Sequence, residues 1–304
     1  FVVIDEQHKF GVRQRSLLSA KGKNPDVLVM TATPIPRTLC LTLYGDLDVS
    51  TITEIPPGRG KVRTDLFTHE NAKDAYRLVR EAVGRGEQAY IVYPIIDESE
   101  TLDLKSAQAM FKEFQATEFK NLKLGLLHGQ MKKQQAQIMM QKFIEKEIDI
   151  LVATTILEVG VDVPNATMMV IEHADRFGLS QLHQLRGRIG RGRQDSKCLL
   201  IAQATTPEAK ARIDAVLSTN DGFEIAQKDL IIRGPGEFFG RHQHGLNELR
   251  IANPQTQLDI LEEARKEALL ISANDPKLAN EKNAIIKEAI LKRYPAYLAN
   301  ILSG

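Results

Sequence analysis

Ile150-Leu151-Val152-Ala153-Thr154 sets four apolar residues in a row, two of them β-branched, and closes on a hydroxyl. A strand with one face in water alternates apolar and polar side chains. This stretch does not alternate, so it reads as a parallel strand covered on both faces. Similar runs recur downstream at 168–172 and 197–202, and upstream at 122–127, 89–94, 64–68, 27–31 and 1–5. Helical patterns fall between them, for example at 72–83 and 133–146. In the latter, Ala136, Met139, Met140 and Phe143 form one apolar stripe, which reads as core packing. Strand alternating with helix predicts an α/β fold, a doubly wound parallel sheet with ligands at the carboxyl ends of its strands.

Ile55-Pro56-Pro57-Gly58-Arg59-Gly60 interrupts the pattern, because two prolines and two glycines continue neither helix nor strand. It separates an incomplete first domain, 1–56, from a complete second one, 57–204. The chain opens directly on the strand Phe1-Val2-Val3-Ile4, which reads as a cut through the middle of a domain and suggests a piece of a longer protein. After Thr205 the pattern changes. A helix is expected from 207 to 218, then a Gly- and Arg-rich stretch within a segment 205–250, then a helical extension, 251–304. In that extension Ile260, Leu261, Ala264, Ala268 and Ile271 share one stripe, and Ile285, Ile286, Ala289 and Ile290 begin another.

With 304 residues, 43% hydrophobic and 26% charged, the chain has the composition of a globular protein with room for two domains. A net charge of +1 neither requires nor excludes a nucleic-acid partner, so any basic surface must be local. Cys40 and Cys198 sit in apolar segments with no nearby Cys or His at ligand spacing, and read as buried reduced thiols in a cytoplasmic setting. No apolar run approaches the ~20 residues of a membrane span.

Three segments carry chemistry. In Gln184-Leu185-Arg186-Gly187-Arg188-Ile189-Gly190-Arg191, a continuous helix would place Gln184, Arg188 and Arg191 on one face. Leu182, Leu185 and Ile189 would then anchor the opposite face. Two guanidinium forks on a buried support suit the terminal phosphates of a nucleotide. A solvated basic face is the plain alternative, since five arginines and no acid lie between 176 and 193. Gly187, Gly190 and Gly192 argue against it, because a helix tolerates them poorly unless something needs close backbone approach. Asp5-Glu6-Gln7-His8 follows an apolar strand directly, so its carboxylates can hold Mg²⁺ through water and deprotonate a water. Val29-Met30-Thr31-Ala32-Thr33-Pro34 ends a second strand on two hydroxyls.

Together these segments resemble, in the right order, the Walker-B, threonine-rich and arginine-finger motifs of superfamily-two helicases. Thr154-Thr155 with Glu158-Val159-Gly160-Val161-Asp162-Val163-Pro164 resembles the fifth motif. Leu127-His128-Gly129-Gln130-Met131 resembles a backbone-contacting motif of the second lobe. Asp229-Leu230-Ile231-Ile232-Arg233-Gly234-Pro235-Gly236-Glu237, with Gly240 and Gln243, resembles the translocation motif shared by RecG and the transcription-repair coupling factor, in the RecG wording. The resemblance implies two RecA-like lobes, the first incomplete, and a DNA helicase acting in recombination and repair with ATP and Mg²⁺. It implies branched or forked duplex DNA as partner, and a monomer.

By the same resemblance Asp5 coordinates Mg²⁺, Glu6 activates the attacking water, and His8 links the nucleotide to Thr31 and Thr33. Arg188 and Arg191 contact the γ-phosphate with Gln184 assisting, and Gly160 and Asp162 meet the nucleotide. His128, Gly129, Thr154 and Thr155 lie against DNA. Arg233 and Gln243 couple lobe closure to movement. A coupling-factor-type translocase and a non-catalytic nucleic-acid-binding module remain as alternatives. No G-x-x-x-x-G-K-[ST] phosphate loop occurs among these residues, so the chain by itself is expected not to hydrolyse ATP.

Overall fold

The computed structural model describes residues 1–5, 25–31, 50–54, 58–94, 100–154, 162–233 and 258–293. Glu6, His8, Thr33, Cys40, Thr155, Gly160 and Gln243, and linker residues 55–57, lie outside them. The chain divides into two compact units, Phe1–Ile35 with Ile52–Gly240, and Pro36–Thr51 with Arg241–Gly304.

The first unit holds two parallel sheets. Strands β1 (Val2–Ile4) and β2 (Val27–Val29) pair in register Val2 to Val27, and Met30 N–H donates to the Ile4 carbonyl just past the pair. The larger sheet contains β3 (Val62–Phe67), β4 (Gln88–Tyr93), β5 (Leu124–Leu127), β6 (Ile150–Thr154), β7 (Ala166–Ile171) and β8 (Ser196–Ile201), in the order β3-β8-β7-β4-β6-β5. All its pairings are parallel. β4, β6 and β7 are buried at every residue, which is why they do not alternate in sequence.

Alternate side chains of these strands feed two cores. On one face Ile91, Tyr93, Ile150, Val152, Met168 and Val170 pack beneath α1 (Ala72–Gly84) and α2 (Glu100–Ala116), which contribute Ala75, Val79, Phe114 and others. On the other, Tyr90, Val92, Leu151, Met169 and Ile171 meet α3 (Lys133–Ile144), α4 (Leu179–Arg186), α5 (Pro207–Ser218) and α6 (Gly222–Arg233). The expected stripe on α3 is real: Met140 and Phe143 are buried, and Ala136 and Met139 pack partly against the same core. Cys198 is buried and free, and burial pushes its thiol up to about 12. Thr206 caps α5 by accepting from the Ala209 N–H, with Pro207 at the first helical position.

Two expectations need correction. The arginine segment is not helical throughout: α4 ends at Arg186, with Gly187 as its cap. The Gly- and Arg-rich stretch is helical from Gly222 to Arg233: Gly222 stands at the start of this helix, the other glycines of the stretch all follow Arg233, and Ile225 and Leu230 are buried in the core. The second unit contains α7 (Leu258–Asn274) and α8 (Ala284–Arg293). The helical extension is present, but Ile260, Ala264 and Ala268 of its first stripe are exposed.

Candidate functional site

The end of α4 sets the geometry. Leu182, Leu185 and Ile189 are buried as the spacing required, but past Arg186 the chain tightens and turns. Arg188 N–H donates to the Leu185 carbonyl at 2.9 Å, and Gly190 takes a φ of +70°, a conformation that favours glycine. Arg188 and Arg191 therefore leave from a loop, not from a helical face shared with Gln184. A side chain at Gly190 would collide with Val62 Cγ2, and a Cβ at Gly192 would sit 2.8 Å from the Pro164 carbonyl oxygen. Gly190 and Gly192 do answer a need for close approach, and what approaches is the chain's own backbone and core; Gly187 does not, since a Cβ there would stand at least 3.4 Å from its neighbours.

Arg191 folds back on the loop. Its Nε donates to the Gly187 carbonyl at 3.2 Å, and its terminal nitrogen forms an ion pair with Asp162. Burial, and then the charge of nearby Arg59, pull its pKa down. Arg188 is half-buried, and among the described residues its guanidinium has no hydrogen-bond or ion-pair partner. Both guanidinium charges reach Tyr90 on β4, opposing the burial that raises this phenol to about 12. Gln184 stands half-buried on the last turn of α4.

This cluster lies at the amino-terminal edge of the sheet. Asp162 and Pro164 precede β7, Val62 opens β3, and the arginine loop leads into β8. Asp162, Arg188 and Arg191 thus stand at the edge opposite the carboxyl ends where ligand groups were expected to gather. The reason is topological: a helix that follows a parallel strand returns the chain to the amino edge, and these arginines lie at such a helix's end.

At the carboxyl edge stand His128 and Gly129, just past β5, and Thr154, buried at the end of β6. Burial lowers the His128 pKa, and among the described residues its buried Nδ1 has no hydrogen-bond partner. Beside it is a shallow depression of about 380 Å³ lined in part by Met131, Ile138 and Lys142. Further along this edge Glu172 is buried after β7 and accepts a 2.6 Å hydrogen bond from the Tyr76 hydroxyl. Burial pushes the Glu172 carboxyl up to about 7, against the lowering effect of that bond. Sequence reasoning missed Glu172; a carboxylate closing a wholly apolar strand was the available signal.

It also missed Arg186. This guanidinium is buried and donates to the Val216 and Thr219 carbonyls at 2.8 and 2.9 Å, at the end of α5. His183 Nδ1 lies 3.0 Å away. Burial and then the Arg186 charge lower His183 to about 4, so its ring is neutral and can accept. Asp229 of the translocation-like motif is buried on α6 and accepts from Ser180 Oγ of α4 at 2.9 Å. Arg233 is the last residue of α6. Thr31 lies two residues past β2 and Asp5 one past β1, each with interactions of its own.

Residues 72–193, from α1 through the arginine loop, match the helicase conserved C-terminal domain. Residues 219–295 match the model for ATP-dependent DNA helicase RecG, domain 3, C-terminal. The chain is 49% identical over 297 residues to the ATP-dependent DNA helicase RecG of Synechocystis sp., covering 98% of this chain and 36% of that protein. To the Bacillus subtilis protein of the same name it is 44% identical over 291 residues, covering 96% of this chain and 43% of that one. The chain belongs to the RecG family. A solved structure of RecG bound to a three-way DNA junction is 46% identical with a TM-score of 0.65, over 86% of this chain and 33% of that one. The larger sheet and its helices are thus a RecA-like lobe of the RecG kind. The chain spans about a third to two-fifths of the length of the RecG relatives it matches, 36% and 43% for those named here.

Proposed function

We propose that this chain carries the second motor lobe of an enzyme that uses ATP hydrolysis to move along duplex DNA and remodel branched junctions. The observation that carries the reading is the arginine loop. Two guanidinium groups leave a segment held by buried Leu185 and Ile189; one is paired only with Asp162 and the Gly187 carbonyl, and the other is uncommitted among the described residues. That arrangement suits the terminal phosphates of ATP, which supplies the driving force when bound. Fixed cations placed where charge accumulates need no reorganisation at the moment of reaction. Asp162 pairs with Arg191 and is the natural group to exchange that contact for the nucleotide sugar. Gln184 would assist, and by the resemblance Gly160 would serve the same nucleotide.

Across the cleft, Asp5 would hold Mg²⁺ largely through water, Glu6 would activate the attacking water, and His8 would relay to Thr31 and Thr33. At the opposite edge His128, Gly129, Thr154 and Thr155 would grip the DNA backbone, with Arg233 and Gln243 coupling the grip to lobe closure. The names of the relatives and the junction-bound structure favour branched DNA over the alternative of a coupling-factor-type translocase.

The test is ATP hydrolysis by a full-length protein containing this segment, with forked and linear duplexes over a salt series. Forked DNA should stimulate turnover more than linear DNA, and affinity should fall steeply with salt as phosphate contacts are screened. Equal stimulation by both would remove the branched-DNA reading. Salt-independent affinity would remove the phosphate-gripping edge, and tight DNA binding without turnover would leave a binding module only.

A further inference from the structure

The segment that enters the larger sheet runs alongside the arginine loop. Gly60 N–H donates to the Gly192 carbonyl at 2.9 Å, Lys61 N–H to Asp195 Oδ1 at 2.9 Å, and Ser196 N–H to the Lys61 carbonyl at 2.8 Å. These contacts prolong the β3–β8 ladder beyond its first registered pair, Val62 with Ser196. The approach is backbone to backbone, for a Cβ on Gly60 would overlap the Gln194 carbonyl. Besides the Asp195 carboxylate, one more side chain takes part. The Arg59 side chain, exposed along its length, reaches over the ladder and donates from Nε to the Gly190 carbonyl at 2.8 Å. The ladder is already closed by main-chain bonds, so it does not need this one. The carbonyl it grips belongs to the peptide joining Gly190 to Arg191, where the chain leaves its positive-φ residue. Fixing that peptide plane fixes the direction in which Arg191 sets out. The contact also brings two like charges close, as the lowering of Arg191 by Arg59 records.

We infer that Arg59 is a positioning residue for the arginine loop: through the Gly190 carbonyl it orients Arg191, tying the loop to the chain arriving along residues 58–61. This rests on the reading of Arg191 as a phosphate-facing group. Arg59 acts through Arg191 and does not itself touch the nucleotide.

The experiment uses the full-length protein containing this segment, as Arg59→Ala, Arg59→Lys, Arg191→Ala and the Arg59→Ala/Arg191→Ala pair. Loss of a hydrogen bond from a charged donor should lower kcat for ATP roughly tenfold in Arg59→Ala, with KM and melting temperature nearly unchanged. Arg59→Lys should recover part of the loss, since an ammonium can also reach a carbonyl. The double variant should be no slower than Arg191→Ala, because a residue acting only through another adds nothing once that other is gone. Without nucleotide, amide exchange over 187–195 should rise in Arg59→Ala and remain low in Arg59→Lys.

Unchanged kcat and unchanged exchange in Arg59→Ala, beside a slow Arg191→Ala, would overturn the inference and spare the arginine loop. Additive losses, or a raised KM with kcat held, would overturn it in favour of direct contact with the nucleotide. A fully active Arg191→Ala would instead remove the reading on which the inference stands.

Discussion

The two edges of the six-stranded sheet are built from different chemistry. At the amino edge Arg188, Arg191, Asp162 and Arg59 are charged and at least partly open to solvent, and main-chain bonds and glycines fix their position. At the carboxyl edge Thr154, Glu172 and Tyr93 are buried, and neutral or readily neutralised. A grip on a charged triphosphate needs permanent cations that reach solvent. A surface that must hold its shape while a polymer slides past needs polar groups committed to the interior. Placing the two on opposite edges lets each be altered without the other, and that separation is what mutation can test.

The largest effect belongs to the amino edge. In a full-length protein containing this segment, Arg191→Ala should lower ATP turnover on the order of 10³-fold, the scale associated with arginine fingers, while melting is little changed because the side chain is part-exposed. Steady-state hydrolysis with saturating DNA measures it. Turnover within a few-fold of the parent would return this loop to the status of a basic surface.

Arg186→Ala should invert that pattern. Its guanidinium is buried and holds two carbonyls at the end of α5. Removing it leaves two acceptors without their donor and a cavity in a packed helical layer, for a loss of roughly 2–6 kcal/mol at about 1–3 kcal/mol per stranded group. Chemical denaturation reads this directly. A loss below about 1 kcal/mol would mean that water or neighbouring donors replace the guanidinium.

Arg186 and Arg188 also mark what the sequence could and could not disclose. They are the same residue type two positions apart, and nothing local separates a buried clamp from an uncommitted guanidinium. The distinction depends on where α4 stops and on where the last carbonyls of α5 fall, 30 and 33 residues away. The strands were legible because burial on both faces removes polar residues from 89–93, 150–153 and 168–171. The helix at Glu100–Ala116 was not, since charges are scattered through Glu-Thr-Leu-Asp-Leu-Lys and leave no clean apolar stripe. The motifs single out Asp162 and Arg191 as candidates; their direct pairing, and the edge on which they meet, required the topology.

The carboxyl edge offers a test by pH. Folded protein holds a proton on Glu172 to about pH 7, and an ordinary carboxyl near 4.5. Between those values the folded state binds more protons than the unfolded state, so stability falls as pH rises, and the whole contribution is gone above 7. Glu172→Gln keeps an acceptor for Tyr76 and never ionises. It should match the parent below pH 4.5 and exceed it at pH 8 by up to about 3 kcal/mol, at 1.36 kcal/mol per unit. Melting curves of both proteins from pH 4 to 8 decide it; parallel curves would mean that Glu172 titrates normally and that its burial is relieved in solution.

The smallest effect compares two glycines within one loop. Gly190 has φ +70° and a Val62 methyl in the space a Cβ would need, so Gly190→Ala should cost about 1–3 kcal/mol. Gly187 has φ −66°, and its nearest neighbours to a new Cβ, the Gln184 and His183 carbonyl oxygens, stand 3.4 and 3.5 Å away. Gly187→Ala should therefore be neutral or stabilising by some tenths of a kcal/mol, chiefly through the unfolded chain. Turnover then separates two reasons for a glycine at 187. If nucleotide phosphate comes close to this backbone, Gly187→Ala will slow hydrolysis at undiminished stability. If the glycine serves only to end α4, both quantities will be retained, and the working surface of the loop begins at Arg188.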